Sequence, residues 1–333
     1  MTIKAERARK VLAQFAKQRI LVVGDLMLDR YVYGMVTRIS PEAPVPIVQV
    51  TQEKSMPGGA SNVAWNIQSL GAHAAVCGVL GPDHSGQELR DLLARGGVGV
   101  DGAMDLKGVR TTVKTRIIAE RQQVVRVDWE DGFELSGRSL EDLCARAARE
   151  VGKATGVIIE DYGKGVIQQP VVDAVLQAAR EAGIPSGLDP KENHELNVRG
   201  ITVATPNRKE AFTIARIEET PAGPNPLEDK GLQRVSEALS KKWSPAMLVI
   251  TLGAQGILLL AKDAPPKHVP TRAREVFDVS GAGDTVIATC VLALAAGASP
   301  VEAAELANYA AGVVVGKIGT ATCTQEELLN CLP

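Results

Sequence analysis

Short apolar runs alternate with amphipathic helical patterns along the second half of the chain. The predicted strands cover residues 157–161, 186–189, 201–204 and 247–251, and the predicted helices cover residues 139–153, 169–182, 208–217 and 229–242. Such alternation is typical of a mostly parallel sheet with helices on both faces. Residues 20–24 form an unbroken apolar run, as expected for a strand buried on both faces. The sequence therefore predicts an α/β fold.

Two segments, at about residues 31–51 and 111–129, depart from this pattern. The first contains two short apolar stretches around a loop, and in the second apolar and polar residues partly alternate, which is typical of a half-exposed sheet. Pro44 and Pro46 fit an edge strand, because proline cannot donate a ladder hydrogen bond. We expect the two insertions to form a small β-sheet that covers a site as a lid or pairs with another subunit. Apart from this lid, the pattern predicts a single domain over residues 1–333.

The stretch Asp-Val-Ser-Gly-Ala-Gly-Asp-Thr at residues 278–285 leads directly into an apolar run that ends before Gly297. The run predicts a helix, and Gly297 is a usual stop. Residues 281–283 should therefore lie at the helix N-terminus, where free N–H groups and the positive end of the helix dipole attract an anion.

Asp284 would lie beside such an anion. An aspartate there is placed to take a proton from an attacking hydroxyl group. An anion hole together with a base is what phosphoryl transfer to an alcohol requires. The alternative interpretation is that Asp284 is only a helix-start acid and that the glycines only form a turn.

Several predicted strands are followed by chemically useful residues, and the carboxyl ends of parallel strands meet at one edge of a sheet. Asp25 and Asp29 are four residues apart, which suits one face of a turn; they would contact sugar hydroxyls or belong to a solvated loop. Lys164 and Lys191 offer point charges for a phosphate, or are simply solvated. The remaining residues of this kind are Asp161, Asp189, Asn207, Glu210 and Thr251.

A glycine pair at residues 58–59 opens a further predicted helix, with Asn62 in its first turn. Exposed backbone beside an amide side chain could receive a polar, uncharged ligand edge. The alternative is a glycine-rich turn with a capping asparagine. Asn207 and Glu210, three apart at another helix start, could both face one magnesium-bound phosphate shell.

The composition excludes several classes of function. The net charge of −2 and the pI near 6.2 provide no basic surface for nucleic acid or for an anionic membrane. The five cysteines and four histidines lack the spacing of a zinc site. The N-terminus is charged and has no apolar signal-peptide core, so we expect a cytoplasmic protein.

Three motifs, in this order along the chain, resemble the signatures of the ribokinase and phosphofructokinase-B carbohydrate kinases. They are a glycine-rich N-terminal set, Asn207-x-x-Glu210 and residues 278–285, where the first set comprises Gly58, Gly59, Asn62, Gly78, Gly81, Asp83 and Gly86. The resemblance extends from about residue 18 to about residue 325. It implies a ribokinase-like fold with a β lid.

Additional segments resemble the branch of this family that phosphorylates heptose 7-phosphate; they lie at residues 24–31, 38–46, 161–165 and 189–191. Bifunctional members of that branch carry a second domain with a His-x-Gly-His motif. The 333 residues contain no such motif, so the expectation is a stand-alone kinase.

The resemblance implies that ATP and Mg²⁺ are used to phosphorylate the anomeric hydroxyl of D-glycero-β-D-manno-heptose 7-phosphate, for ADP-heptose and lipopolysaccharide inner-core synthesis. It makes Asp284 the base and Gly281, Ala282 and Gly283 the anion hole. The residues implied around ATP are Asn207, Arg208, Lys209, Glu210, Thr251, Gly253, Gly256 and Asn308, with Asn207 and Glu210 at the magnesium–phosphate shell. The residues implied at the sugar are Asp25, Asp29, Gly59, Asn62, Asp161, Lys164 and Lys191. It also implies a homodimer formed through the lid.

Other functions compete with this one. A kinase of the same fold could act on an unphosphorylated sugar, although Lys164 and Lys191 favour a phosphorylated one. A non-catalytic sugar or nucleotide sensor would not need the base Asp284. A dinucleotide-dependent oxidoreductase is disfavoured, because the strand at residues 20–24 is not followed by Gly-x-Gly-x-x-Gly.

Overall fold

The computed structural model describes residues 3–120, 122–272, 276–317 and 319–332. Helices α1–α10 span, in chain order, Ala5–Leu12, Ala60–Ser69, His84–Arg95, Gly137–Val151, Gln169–Ala182, Arg208–Ala215, Lys230–Trp243, Ala282–Ala295, Pro300–Val314 and Gln325–Cys331. Strands β1–β13 span Arg19–Gly24, Leu26–Ile39, Pro46–Gly59, His73–Leu80, Gly99–Asp105, Thr112–Ala119, Gln122–Trp129, Gly156–Glu160, Ser186–Asp189, Val203–Ala204, Met247–Thr251, Ile257–Ala261 and Lys267–Val269.

The larger sheet has nine strands in the order β13-β12-β11-β10-β9-β8-β1-β4-β5. Neighbours from β5 to β11 pair in parallel, while β12 and β13 add an antiparallel edge. The chain builds outward from β1 through β4 on one side and then through β8 on the other. Open α/β sheets bind ligands where the strand order reverses in this way, so the site is expected beyond the carboxyl ends of β1 and β8.

Both faces of this sheet are covered, as the sequence predicted. In β1, Ile20 and Val22 belong to one hydrophobic core, and Leu21 and Val23 belong to the other. Successive strand side chains point to opposite faces, which explains the unbroken apolar run. Helices α2, α8 and α9 contribute to the first core, and α4, α5 and α7 contribute to the second. The mostly parallel sheet with helices on both faces is therefore confirmed.

The smaller sheet, called the lid here, has the order β3-β2-β6-β7. Its first two strands each have 14 residues and are longer than the short strands expected within 31–51. The prediction that Asp25 and Asp29 share one face of a turn is wrong, because Asp29 lies within strand β2. Pro46 begins β3, which is an edge strand as its proline predicted. Pro44 lies in the loop before β3.

Only Asp25 separates β1 of the central sheet from β2 of the lid. At the other end of the lid, β3 ends at Gly59 and α2 begins at Ala60. The lid strands therefore start and end beside the edge where a ligand site is expected. None of the helices in the described ranges is long and apolar enough to cross a membrane.

Candidate active site

Asp284 lies in the first turn of α8 with both carboxylate oxygens hydrogen-bonded. The side-chain amide of Asn62 donates to Asp284 Oδ2 at 2.6 Å, and the hydroxyl of Tyr162 donates to Asp284 Oδ1 at 2.9 Å. Only 5% of Asp284 is exposed. The carboxylate is thus held in one orientation, as a general base requires.

Contacts between α2 and α8 bring Asn62 to Asp284. Asn62 lies in the first turn of α2, as predicted. One turn later, Asn66 donates from Nδ2 to Asn62 O at 2.9 Å and accepts at Oδ1 from the Thr285 hydroxyl at 2.8 Å. These bonds fix the two helices against each other at the level of the carboxylate.

Burial raises the pKa of Asp284 above that of an ordinary aspartate. The hydrogen bonds from Asn62 and Tyr162 oppose this shift, because they stabilise the charged carboxylate. Burial and the neighbouring Asp284 charge also raise the pKa of Tyr162 well above its ordinary value, so the tyrosine keeps its proton. The Asp284 carboxylate is therefore a stronger base than a solvated aspartate and has a permanent donor beside it.

The predicted anion hole lies at the N-terminus of α8. Gly281 is the N-cap with φ 76°, in the left-handed region that favours glycine. A Cβ atom there would lie 2.9 Å from Asn62 Nδ2, so a side chain would press on the amide that holds the base. Ala282 and Gly283 follow in the first turn, where backbone N–H groups have no partner within the helix, although Ala282 N donates to Val279 O at 3.2 Å outside it. The helix N-terminus next to Asp284 thus keeps the glycine-rich form expected of an anion hole, and that role stays a prediction.

Three carboxylates meet at the carboxyl ends of β8 and β9. One oxygen each of Glu160, Asp189 and Asp284 lies within 4.8 Å of the others. Glu160 is 1% exposed, and neither of its carboxylate oxygens has a hydrogen-bond partner among the described residues. Burial, followed by repulsion from neighbouring carboxylates, raises the pKa of Glu160 and of Asp189 well above ordinary values. A proton shared within this group, or a bound cation, would relieve that repulsion.

Asn207 and Glu210 form a capping box at the start of α6. Asn207 Oδ1 accepts from Glu210 N at 3.0 Å, and Glu210 Oε2 accepts from Asn207 N at 2.9 Å. The charge of Glu210 contributes to the raised pKa of Asp189, so this helix start adjoins the group of three carboxylates. The capping box uses Asn207 Oδ1 and Glu210 Oε2, so Asn207 Nδ2 and Glu210 Oε1 remain for contact with a magnesium–phosphate shell. That role stays a prediction.

Arg208 and Lys209 are engaged by other acids. The Arg208 guanidinium contacts Asp229 at 3.0 Å and lies over the Phe212 ring. Lys209 contacts Glu192 at 3.1 Å. The side chain of Arg208 is 14% exposed and that of Lys209 is 70% exposed, so Lys209 is freer to reach a ligand. Their contact with ATP stays a prediction.

A cavity of about 250 Å³ opens next to the N-terminus of α8. Four residues predicted at the nucleotide line it together with Ala282 and Gly283; they are Thr251, Gly253, Gly256 and Asn308. Its other lining residues are mainly apolar, and they include Ile257, Val279 and Val286. An apolar cavity that ends at a helix N-terminus suits a flat ring attached to a phosphate chain.

Asp25 accepts three backbone hydrogen bonds from one loop. The donors are Tyr162 N at 2.9 Å, Lys164 N at 3.1 Å and Val166 N at 3.1 Å. Asp25 is 2% exposed. This carboxylate therefore holds the loop that carries Tyr162, and its predicted contact with a sugar remains untested.

The other residues predicted at the sugar lie around the same loop and the lid. Asp29 pairs with Arg116 at 2.7 Å, and Asp161 pairs with His194 at 2.7 Å. Lys164 pairs with Glu130 of the lid segment at 2.7 Å. Lys191 lies beside the loop, since a Cβ atom on Gly163 would be 3.6 Å from Lys191 Cγ.

Sequence reasoning missed Glu160, Tyr162 and Arg116 as candidates for the site. The sequence position of Glu160 could have identified it, because an acid that directly continues a fully apolar strand is expected to be buried, and a buried acid is a candidate for a site. Tyr162 lies within the segment 161–165 that carried the family resemblance, but a tyrosine there did not suggest contact with a base 122 residues away. Arg116 lacked a comparable signal in an alternating lid strand.

The fold and these groups define a class, namely an α/β protein with a lid, a mainly apolar cavity at a helix N-terminus and a buried carboxylate beside that N-terminus. The profile of the pfkB family of carbohydrate kinases matches residues 17–327. The chain belongs to the pfkB family of carbohydrate kinases. It is therefore a sugar kinase.

Sequence relatives agree with this assignment. The bifunctional protein HldE of Nitrosococcus oceani is 44% identical over 324 residues, which are 96% of this chain and 65% of that protein. HldE of Caulobacter vibrioides is 44% identical over 318 residues, which are 95% of this chain and 64% of that protein. The chain thus spans less than two thirds of the length of these relatives.

Solved structures show the same fold. The ribokinase of Arabidopsis thaliana, complexed with ribose and ATP, superposes with a TM-score of 0.70 at 21% identity, over 94% of this chain and 98% of that one. Phosphofructokinase-2 from Escherichia coli gives a TM-score of 0.73 at 20% identity, with the same coverage. The ribokinase-like fold predicted from the motifs is confirmed.

Replacing Tyr162 with phenylalanine tests how the base is held. The variant loses one hydrogen bond to a charged carboxylate, so the pKa of Asp284 should rise further. Because the base works deprotonated, the acid limb of the kcat–pH profile should move to higher pH by about one unit. Tyr33→Phe, which removes a hydroxyl from the lid, is the matched control. An unchanged acid limb in Tyr162→Phe would show that this hydrogen bond does not tune the base.

Proposed function

We propose that the chain transfers the γ-phosphoryl group of ATP to the anomeric hydroxyl of D-glycero-β-D-manno-heptose 7-phosphate and forms the 1,7-bisphosphate. One observation carries the proposed phosphoryl transfer: Asp284 is fixed by two donors, next to both the α8 N-terminus and the mainly apolar cavity that Ala282 and Gly283 line. The heptose substrate is supported by the resemblance of residues 24–31, 38–46, 161–165 and 189–191 to heptose-phosphate kinases. The similarity to HldE proteins is consistent with a role in ADP-heptose and lipopolysaccharide synthesis.

In the proposed reaction, the sugar hydroxyl oxygen attacks the γ-phosphorus while its proton passes to Asp284. The bond from the γ-phosphorus to the bridging oxygen of ADP breaks, and ADP leaves with that electron pair. The N–H groups of residues 281–283 would stabilise the negative charge of the transferred group. Such reactions depend mostly on positioning and charge stabilisation, and a base typically contributes 10²–10⁴-fold.

The carboxylate group at Glu160, Asp189 and Asp284 fits a Mg²⁺ ion. Oxygen ligands suit this cation, and the unpaired, buried carboxylate of Glu160 is otherwise costly. Glu160 and Asp189, with Glu210 nearby, would hold the ion or its water shell. When bound, Mg²⁺ neutralises charge that develops on the transferred phosphate.

The five cysteines, all free thiols, are compatible with the expected cytoplasmic location.

A substrate panel tests the proposed function. ADP release should be strong with heptose 7-phosphate and weak with fructose 6-phosphate, ribose, fructose and adenosine. Asp284→Asn should keep nucleotide binding and lose about 10²–10⁴-fold in kcat, because only the proton acceptor is removed. Preference for another sugar would refute the substrate and keep the kinase site. Binding of nucleotide without turnover on any sugar would support a sensor instead.

Thermal melting tests the cation site without nucleotide or turnover. Mg²⁺ should raise the melting temperature of the wild type by a few degrees. The raised pKa values mean that protons compete with the cation at low pH, so the shift should grow as pH rises. Glu160→Gln and Asp189→Asn should abolish it, whereas Glu150→Gln, at a buried acid elsewhere, should keep it. A shift retained in both site variants would contradict the assignment.

We also propose a homodimer formed through the outer face of the lid. Val125, Val127 and Trp129 alternate along β7 with polar residues and are 39–50% exposed. Exposed apolar side chains at this density mark an interaction surface. Light scattering should therefore give twice the chain mass. Val127→Asp should give a monomer, and Leu227→Asp, at an exposed leucine outside the lid, should remain dimeric. A monomeric wild type would refute this proposal.

A further inference from the structure

A second set of charged residues lies on the lid face that carries Asp29. In the strand register, Asp29 pairs with Lys114 on β6, and Lys114 pairs with Asp128 on β7. Directly paired residues point to the same face of a sheet, and so do residues two apart. Arg126 therefore joins Lys114 and Asp128 on this face, opposite the apolar outer face.

The ammonium group of Lys114, from this set, and that of Lys164, from the loop that carries Tyr162, meet at one carboxylate oxygen. Lys114 Nζ lies 3.2 Å from Glu130 Oε2, and Lys164 Nζ lies 2.7 Å from the same atom. The Lys164 hydrogen bond is the main cause of the lowered pKa of Glu130, so the carboxylate is charged at neutral pH. Glu130 lies beyond the end of β7 and its side chain is 34% exposed, whereas that of Lys114 is 15% exposed. The lysines are thus anchored in the sheet and loop, and the acid between them is the more accessible partner.

The charges around this point are unbalanced. Lys114, Lys164, Arg116 and Arg126 carry four positive charges, while Asp29, Asp128 and Glu130 carry three negative ones. Asp128 is already engaged, because it accepts two hydrogen bonds from Arg126 at 2.8 and 3.0 Å and one from Lys114 at 3.0 Å. An additional anion would therefore be attracted here, and it would bind at the position of the Glu130 oxygen.

The position of this cluster relative to the base is set by one short loop. Lys164 is two residues from Tyr162, whose hydroxyl donates to Asp284. Asp25 holds both residues through their backbone N–H groups. The electric field of Lys114 and Arg126 also acts on Asp29, which places them near the proposed sugar site. A sugar with its reacting hydroxyl at Asp284 would direct its far end towards the lid.

We propose that Lys114 and Lys164, assisted by Arg126, form a subsite for the phosphate monoester at the far end of a phosphorylated sugar. Glu130 occupies the subsite when no substrate is bound, and the phosphate displaces it. Two ammonium groups at one oxygen match a phosphate oxygen, and a dianion replaces a monoanion with a gain in attraction. This inference rests on the proposed function, since it assigns the residues that would distinguish heptose 7-phosphate from the unphosphorylated heptose.

Steady-state kinetics on that pair of sugars tests the subsite. Lys114→Met and Lys164→Met should each raise KM for heptose 7-phosphate at least tenfold, since each removes a charge-assisted hydrogen bond. The value of kcat/KM for unphosphorylated heptose should not change, whereas a merely structural role would lower it for both sugars. Lys10→Met, at an exposed lysine on α1, is the matched control and should behave as the wild type.

Glu130→Gln provides a test in the opposite direction. Removing the competing negative charge should lower KM for heptose 7-phosphate severalfold and leave unphosphorylated heptose unaffected. The KM for the phosphorylated sugar should also rise with ionic strength, because salt screens these partly exposed charges.

The outcomes separate the two proposals. A wild type that does not prefer heptose 7-phosphate would refute the proposed substrate. A wild type that prefers it, with the preference intact in both lysine variants and in Glu130→Gln, would refute the subsite alone. If a lysine variant does not fold, Glu130→Gln and the ionic-strength dependence decide the question.

Discussion

The hydrogen bonds between Asp25 and the loop at residues 162–166 hold the whole site together. Burial raises the pKa of Asp25, and the three backbone donors oppose that cost by stabilising the charged form. The loop in turn makes two side-chain contacts: the Tyr162 hydroxyl donates to Asp284, and the Lys164 ammonium group pairs with Glu130 next to the lid. A single buried carboxylate at the end of β1 thus positions groups that belong to three different parts of the molecule.

The second constraint is the concentration of negative charge around the base. Glu160, Asp189 and Asp284 are buried together, although burying one carboxylate is already costly. A folded protein keeps such a group only when a proton, a cation or a ligand compensates it. These mutually repelling carboxylates lie beside the glycine-rich start of α8, where the phosphate chain of a bound nucleotide would bring a cation with it. The stability of the protein and the chemistry proposed for it therefore depend on the same residues.

Much of the architecture could be predicted because local patterns determine it. Apolar runs such as β1 are buried on both faces, and Gly281 precedes a helix as its motif indicated. The length of β2 and β3 could not be read from the sequence, since lid strands with two partly exposed faces lack a continuous apolar signal. Similarly, contacts that depend on tertiary packing were not visible, which explains why the loop held by Asp25 was not predicted alongside its expected contact with a sugar.

The surroundings of the proposed base, Asp284, are assembled from distant parts of the chain. Asn62 is 222 residues from Asp284, and Tyr162 is 122 residues from it. Contacts between such distant positions require the closure of long loops, an entropy cost that local contacts within one helix do not carry. The nascent chain cannot hold the base in its working orientation until α8 has been synthesised and packed against α2. The proposed activity is therefore a property of the finished fold, and its recovery during refolding would report that α2, α8 and the loop of Tyr162 have packed together.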